Sequence, residues 1–136
     1  MSVSGLSTQQ HEHGTMFAPK FGSDGLVSAV VLDSQTKEVL VVAFMNFEAI
    51  AATRQSGKVT FWSRSRQKLW MKGETSGNVL EVKRILVDCD QDALVIYAQP
   101  SGPICHTGAR SCFYRELDPG ADDEIALTSV PDGDSR

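Results

Sequence analysis

The hydrophobic positions fall into short runs separated by turn residues, and most of these runs read as strands. Residues 26–32 (Leu-Val-Ser-Ala-Val-Val-Leu) and 39–45 (Val-Leu-Val-Val-Ala-Phe-Met) are rich in β-branched side chains, which suit a pleated, half-buried surface. Between them stands Asp33-Ser34-Gln35-Thr36-Lys37, where short polar side chains can hydrogen-bond their own backbone in a turn. The pattern predicts an antiparallel hairpin. The period then changes. Asn46 is placed to cap a helix and Gly57 to end it, with Phe47, Ile50 and Ala51 at helical spacing between them. Arg54 falls in the last turn, where a cation complements the helix dipole.

Further on, residues 59–62 form a short strand, residues 79–87 alternate apolar and basic side chains, and residues 93–98 form another strand. A loop with Pro100, Gly102 and Pro103 follows, and residues 113–117 read as a final strand or a turn of helix. No internal repeat is present. This predicts an α+β or mainly β domain, built of mainly antiparallel strands with one or two short helices. It is expected to span residues 21–117. Residues 1–20 are polar and are expected to be a mobile arm; their His11 and His13 read as solvated before they read as metal ligands. Residues 118–136 are acidic, with Asp118, Asp122, Asp123, Glu124, Asp132 and Asp134 against Arg136, and are expected to be disordered.

A chain of 136 residues favours one domain. The net charge of −4 argues against non-specific nucleic-acid binding by the whole molecule. No apolar run approaches the roughly 20 residues that span a membrane, and the polar N-terminus does not resemble a secretory signal, so a cytoplasmic location is expected. The three cysteines cannot all pair within one chain. In a reducing compartment, clustered cysteines more often bind metal or act in catalysis.

Charge changes the picture in the middle of the chain. From Arg54 to Arg84 eight Lys and Arg residues face only Glu74 and Glu81. A basic segment in an acidic protein suggests a local anionic ligand. Ser63, Ser65, Thr75 and Ser76 are interleaved with Arg64, Arg66 and Lys72, and with Gly73 and Gly77. Hydroxyls, guanidinium groups and close backbone approach together suit phosphate. Trp62 and Trp70 offer faces for stacking on a base, with core packing an equal alternative. A small nucleotide fits this short chain better than single-stranded nucleic acid.

The candidate metal chemistry lies in two places. Cys105, His106 and Cys112 fall in Ile-Cys-His-Thr-Gly-Ala-Arg-Ser-Cys-Phe, and Cys89 falls in Asp-Cys-Asp-Gln-Asp. Three thiolates with an open position make a catalytic zinc site; three thiolates with His106 make a closed, structural one. His106 adjoins Cys105, and neighbouring side chains seldom reach one ion, so His106 is better placed as an acid or base beside the metal. Asp88, Asp90 and Asp92 would share one face of an extended strand, with Cys89 on the other. A turn at Gln91 would break that alternation and let the two sites merge. The sixth and twelfth positions from Asp88 are Ala93 and Gln99, which rules out a calcium loop of the EF-hand kind; magnesium holding phosphate oxygens is the better reading. The Pro-Cys-x-x-Cys signature of zinc deaminases is also missing, because Gly108 occupies the second cysteine position.

Four linked motifs carry a resemblance: Phe61-Trp62-Ser63-Arg64-Ser65-Arg66 with Leu69-Trp70-Met71-Lys72-Gly73-Glu74-Thr75-Ser76-Gly77-Asn78; Asp88-Cys89-Asp90-Gln91-Asp92-Ala93-Leu94; Gly102-Pro103-Ile104-Cys105-His106-Thr107-Gly108; and Ser111-Cys112-Phe113. In this order they resemble the phosphoribosyl-AMP cyclohydrolases of histidine biosynthesis. The resemblance implies a hydrolase that opens the adenine ring of 1-(5-phosphoribosyl)-AMP at the N1–C6 bond. It implies an intertwined homodimer with zinc sites at the subunit interface. Cys89 of one subunit with Cys105 and Cys112 of the other would bind zinc (Zn2+), and Asp88, Asp90 and Asp92 would bind magnesium (Mg2+). Trp62, Ser63, Arg64, Ser65, Arg66, Trp70, Lys72, Glu74, Thr75 and Ser76 would contact the substrate, and His106 would move a proton. Ile104 stands where a smaller residue is common in the family.

Overall fold

The computed structural model describes residues 7–120 and 126–130. A short helix α1 (Thr8–His13) comes first, closed by a capping box between Ser7 and Gln10. It lies in the segment expected to be a mobile arm. Strands β1 (Val27–Asp33) and β2 (Val39–Met45) form the predicted antiparallel hairpin. At its tip Asp33 Oδ1 accepts from the Gln35 and Thr36 amides at 2.8 and 3.1 Å, and Lys37 takes a positive φ of 66°.

Helix α2 (Phe47–Ser56) starts and stops where its caps dictate. Asn46 accepts from the Ala49 amide at 2.8 Å, and Gly57, at φ 73°, donates to the Thr53 carbonyl. The buried stripe is Ala49, Ile50 and Thr53 rather than the predicted Phe47, Ile50 and Ala51; Phe47, in the first turn, is 46% exposed. Thr53 satisfies its buried hydroxyl on the backbone of Thr60, donating to the carbonyl and accepting from the amide.

Strands β3 (Thr60–Ser63) and β4 (Lys68–Met71) form a second hairpin, with Phe61 opposite Trp70. Strands β5 (Leu80–Val87) and β6 (Ala93–Pro100) form a third, with a register shift between Val82 and Arg84. The main sheet has four strands in the order β2-β1-β6-β5. All its neighbours are antiparallel except β1 and β6, which run parallel. Strand β7 (Arg115–Leu117) pairs with β8 (Leu127–Ser129). Thus of residues 113–117 the last three resolve as strand, and part of the acidic tail pairs with them.

The core lies on one face of the main sheet. Ala29, Val31, Leu94, Ile96 and Ala98 are buried there in one cluster with Ala49 and Ile50 of α2, and with Val59, Phe61 and Leu80. Full burial of a side chain such as Phe61 or Ile96 contributes about 1.5–3 kcal/mol each. This core fixes the four connections that carry the candidate chemistry: the β3–β4 tip, the β4–β5 loop, the β5–β6 turn, and the loop after β6. Among the described residues, no helix is long and apolar enough to cross a membrane.

Candidate active site

The loop after β6 brings Cys105 and Cys112 together. It closes on itself through the Cys105 amide, which donates to the Ala109 carbonyl at 3.1 Å, and the Gly108 amide, which donates to the Cys105 carbonyl at 2.9 Å. Gly108 adopts φ 90°, a conformation that glycine takes at no steric cost. Cys105 is buried and Cys112 half-buried. Burial pushes the Cys105 thiol up, but this is outweighed. The Thr107 hydroxyl donates to its sulfur at 3.1 Å, and the Thr107 amide, the Cys112 thiol and the Lys72 ammonium add to that, so the net shift is downward. Cys112 is pushed up, first by burial and then by the negative charge on Cys105. The pair therefore ionises at Cys105 first.

Lys72 is itself buried. Its ammonium lies 5.1 Å from the Trp70 ring centre, and its charge acts on both thiols. The sequence suggested Lys72 as a phosphate contact; the structure also makes it a cation beside the sulfurs.

Asp88, Asp90 and Asp92 converge, not by strand alternation but by the alternative turn at Gln91, and the carboxylates gather without Cys89. Strand β5 ends at Val87, and residues 88–92 turn back, with Gln91 at φ 61°. The turn is closed by the Asp88 carboxylate, which accepts from the amides of Asp92 at 2.9 Å and Ala93 at 3.1 Å. One oxygen from each of the three carboxylates lies within 4.8 Å of the others. Three such groups cannot all ionise freely. Hydrogen bonds to Asp88 and Asp90 raise Asp92 to about 6. Partial burial raises Asp88, but hydrogen bonds from Asp92, Ala93 and Asp90 outweigh it and lower that carboxyl.

The turn is tied to the N-terminal segment through Gln91. Its side-chain oxygen accepts from the Ala18 amide at 2.7 Å, its side-chain nitrogen donates to the Met16 carbonyl at 3.2 Å, and its own carbonyl accepts from the Lys20 amide at 2.7 Å. Cys89 sits exposed on the turn. Among the described residues, the only metal-competent group of three is the carboxylate trio; within one chain Cys89 does not join Cys105 and Cys112.

The substrate-contact candidates divide between two clefts that share Trp70. The first, of about 430 Å³, is lined by Trp70, Lys72, Glu74, Thr75 and Ser76 on one side and by Cys105 and His106 on the other. His106 is exposed at this wall. The second, of about 690 Å³, is lined by Trp62, Ser63, Arg64, Ser65 and Arg66 at the β3–β4 tip, and by Phe44. Arg64 lies 4.2 Å from the Phe44 ring centre and Arg66 lies 5.9 Å from that of Trp70, so both guanidinium groups are held against aromatic faces. Trp70 also packs on Phe61, with ring centres 5.5 Å apart; it serves core and cleft together.

Three residues escaped the sequence reading. Asn78 bridges the two sides of the first cleft, donating to the Pro103 carbonyl at 2.8 Å. Thr107 holds the Cys105 sulfur. Arg110 forms ion pairs with Asp33 and Glu38. The position of Thr107 two residues after a cysteine was a usable signal for the second of these; the other two contacts depend on distant segments and leave no local trace.

The donor sets fit two different ions. Clustered carboxylate oxygens suit a hard cation such as magnesium. Two interacting thiols, one with a lowered pKa beside a lysine, are a soft donor pair that suits zinc and supply half of a tetrahedral shell.

A family model described as Phosphoribosyl-AMP cyclohydrolase matches residues 41–114. The Phosphoribosyl-AMP cyclohydrolase of Erythrobacter litoralis is 61% identical over 119 residues, covering 88% of this chain and 95% of its own length. The protein of that name from Rhizorhabdus wittichii is 54% identical over 110 residues, covering 81% and 89%. That of Brucella canis is 48% identical over 125 residues, covering 90% and 89%.

Proposed function

The chain belongs to the phosphoribosyl-AMP cyclohydrolase family of histidine biosynthesis, and on that premise we propose that it opens the adenine ring of 1-(5-phosphoribosyl)-AMP at a metal site shared between two copies. The observation that carries this reading is the cleft in which Trp70, Lys72, Glu74, Thr75 and Ser76 face Cys105 and His106. Residues suited to holding a nucleotide thus line the same space as a thiol and a titratable imidazole.

Cys105 and Cys112, completed by Cys89 of a second copy, would hold zinc; Asp88, Asp90 and Asp92 would hold magnesium. Bound zinc would lower the pKa of a water enough for it to ionise near neutral pH, and magnesium would neutralise phosphate charge. The remaining work falls to the chain itself. Trp70 offers a face for the purine. Arg64, Arg66 and the hydroxyls of Ser63 and Ser65 take phosphate oxygens, with Trp62 closing that cleft. Binding both ends of the nucleotide fixes C6 against the attacking water. Hydrolysis adds the water oxygen to C6, breaks the N1–C6 bond and puts a proton on N1. His106 lines the cleft wall and would move that proton. The product retains the C6 carbon as a carboxamide. Such an enzyme acts in the cytoplasm as a homodimer.

A mixing experiment tests the shared site. Cys89→Ser and Cys105→Ser are each expected to be inactive alone. In randomly exchanged two-fold dimers, half of the molecules are mixed and each carries one intact site of two, so the mixture should regain about a quarter of the original turnover. A mixture as inactive as its parents, despite demonstrated subunit exchange, would refute the shared site.

A further inference from the structure

The loop that carries Cys105 and Cys112 meets the core only at its ends, through Ile104 in the hydrophobic cluster and Cys112 packed against it. Between these ends residues 106–111 read His-Thr-Gly-Ala-Arg-Ser, with almost nothing apolar to set the register of the span. It is instead stitched to the tip of the β1–β2 hairpin by three consecutive residues. The Arg110 Nε lies 3.1 Å from Glu38 Oε1, and its terminal nitrogen lies 3.6 Å from Asp33 Oδ2. The Ser111 hydroxyl donates to the Val39 carbonyl at 2.6 Å, and the Cys112 amide donates to the Leu40 carbonyl at 2.8 Å. Residues 110–112 therefore lie along residues 38–40, one contact for each.

Both carboxylates are buried, Asp33 at 4% exposure and Glu38 at 2%. Buried charge is a poor way to gain stability, since apolar residues of similar volume often do as well or better. Its best-attested use is to select one register among several. Here the alternatives are concrete. Slipping the loop by one residue would put Ala109 or Ser111 opposite the two carboxylates and carry Cys112 away from Leu40. Asp33 is a firm anchor, because its other oxygen already holds the Gln35 and Thr36 amides.

We infer that Arg110 is a positioning residue for the metal thiolates: its pairing with Asp33 and Glu38 sets the register that holds Cys112 against Cys105. The inference rests on the zinc reading proposed above. It assigns to the β1–β2 tip, which contributes no ligand, control over the geometry of the two sulfurs.

The test uses the full chain, stripped of metal and titrated with cobalt(II) as a spectroscopic stand-in for zinc. The unmodified protein should show thiolate-to-cobalt charge-transfer bands and a tetrahedral visible envelope. Arg110→Met should bind cobalt roughly 10–100-fold more weakly, as for other residues that orient metal ligands, with a changed envelope. Arg110→Lys keeps the charge but loses the fork and should fall between. The double variant Arg110→Met with Glu38→Gln removes a buried charge that Arg110→Met leaves without its cation. It should recover thermal stability while its cobalt affinity stays low, separating positioning from folding. If either folded Arg110→Met variant gives the parental affinity and spectrum, the inference is overturned and Arg110 serves the fold alone. If the unmodified protein shows no thiolate bands, the zinc reading fails, and this inference fails with it.

Discussion

The carboxylate turn yields a quantitative prediction. Asp92 titrates near 6 because hydrogen bonding to Asp88 and Asp90 favours its protonated form. A divalent cation bound by the trio must displace that proton. The competition factor is 1 + 10^(6−pH), so apparent magnesium affinity should be about tenfold weaker at pH 5 than at pH 7. Near pH 6, binding should release about half a proton. Calorimetry in two buffers of different ionisation enthalpy reads both quantities. The sign in the metal-free protein is opposite to that of an ordinary salt-bridged aspartate. Its folded pKa is raised, so the folded state binds the extra proton between 3.8 and about 6, and stability declines as pH rises through that window. Saturating magnesium should remove this decline. Asp88→Asn keeps an oxygen for the Asp92 and Ala93 amides but deletes one charge, so Asp92 should return toward 3.8. Magnesium affinity that is flat from pH 5 to 7, or an Asp92 carboxyl signal that titrates below 4.5, would refute the shared proton.

Two other perturbations probe the first cleft. Lys72→Met should raise the Cys105 pKa, because the ammonium is one of the groups that favour its thiolate; thiolate absorbance of the metal-free protein, followed against pH, should shift alkaline. Gly73→Ala should destabilise the fold by about 1–3 kcal/mol or more, as measured by denaturant unfolding. Gly73 sits at φ 87°, and an added Cβ would collide with the Asn78 carbonyl.

The parts of the fold legible in the sequence are those decided locally. Asn46 and Gly57 delimit α2 as their types require, and the Asp33 turn joins two strands of clear β composition. The β3–β4 hairpin was obscured because its turn lacks the usual glycine: Gln67 takes the positive φ of 52°, and the Arg64 and Arg66 charges dominated the reading. The parallel pairing of β1 with β6 joins residues as distant as Ser28 and Ala93, and no local pattern encodes it. At the site, the spacing of Asp88, Asp90 and Asp92 pointed to a cluster by either of two geometries, strand alternation or a turn at Gln91, and the turn is the one formed. The convergence comes from a left-handed Gln91, which is held by hydrogen bonds to Ala18 and Met16. Residues 1–6, 121–125 and 131–136 of the expected arm and tail lie outside the described residues, as does the side chain of His11.

Hydrolysis of the N1–C6 bond of phosphoribosyl-AMP in the thiol-lined cleft, as proposed, should depend on zinc. The direct measurement follows ultraviolet absorbance of that substrate with metal content determined on the same sample, before zinc removal, after it, and after zinc is restored. Turnover should vanish with zinc and return with it, with the ring opened and no ammonia released. Full turnover by zinc-free protein would contradict the account, and release of ammonia would make the reaction a deamination instead.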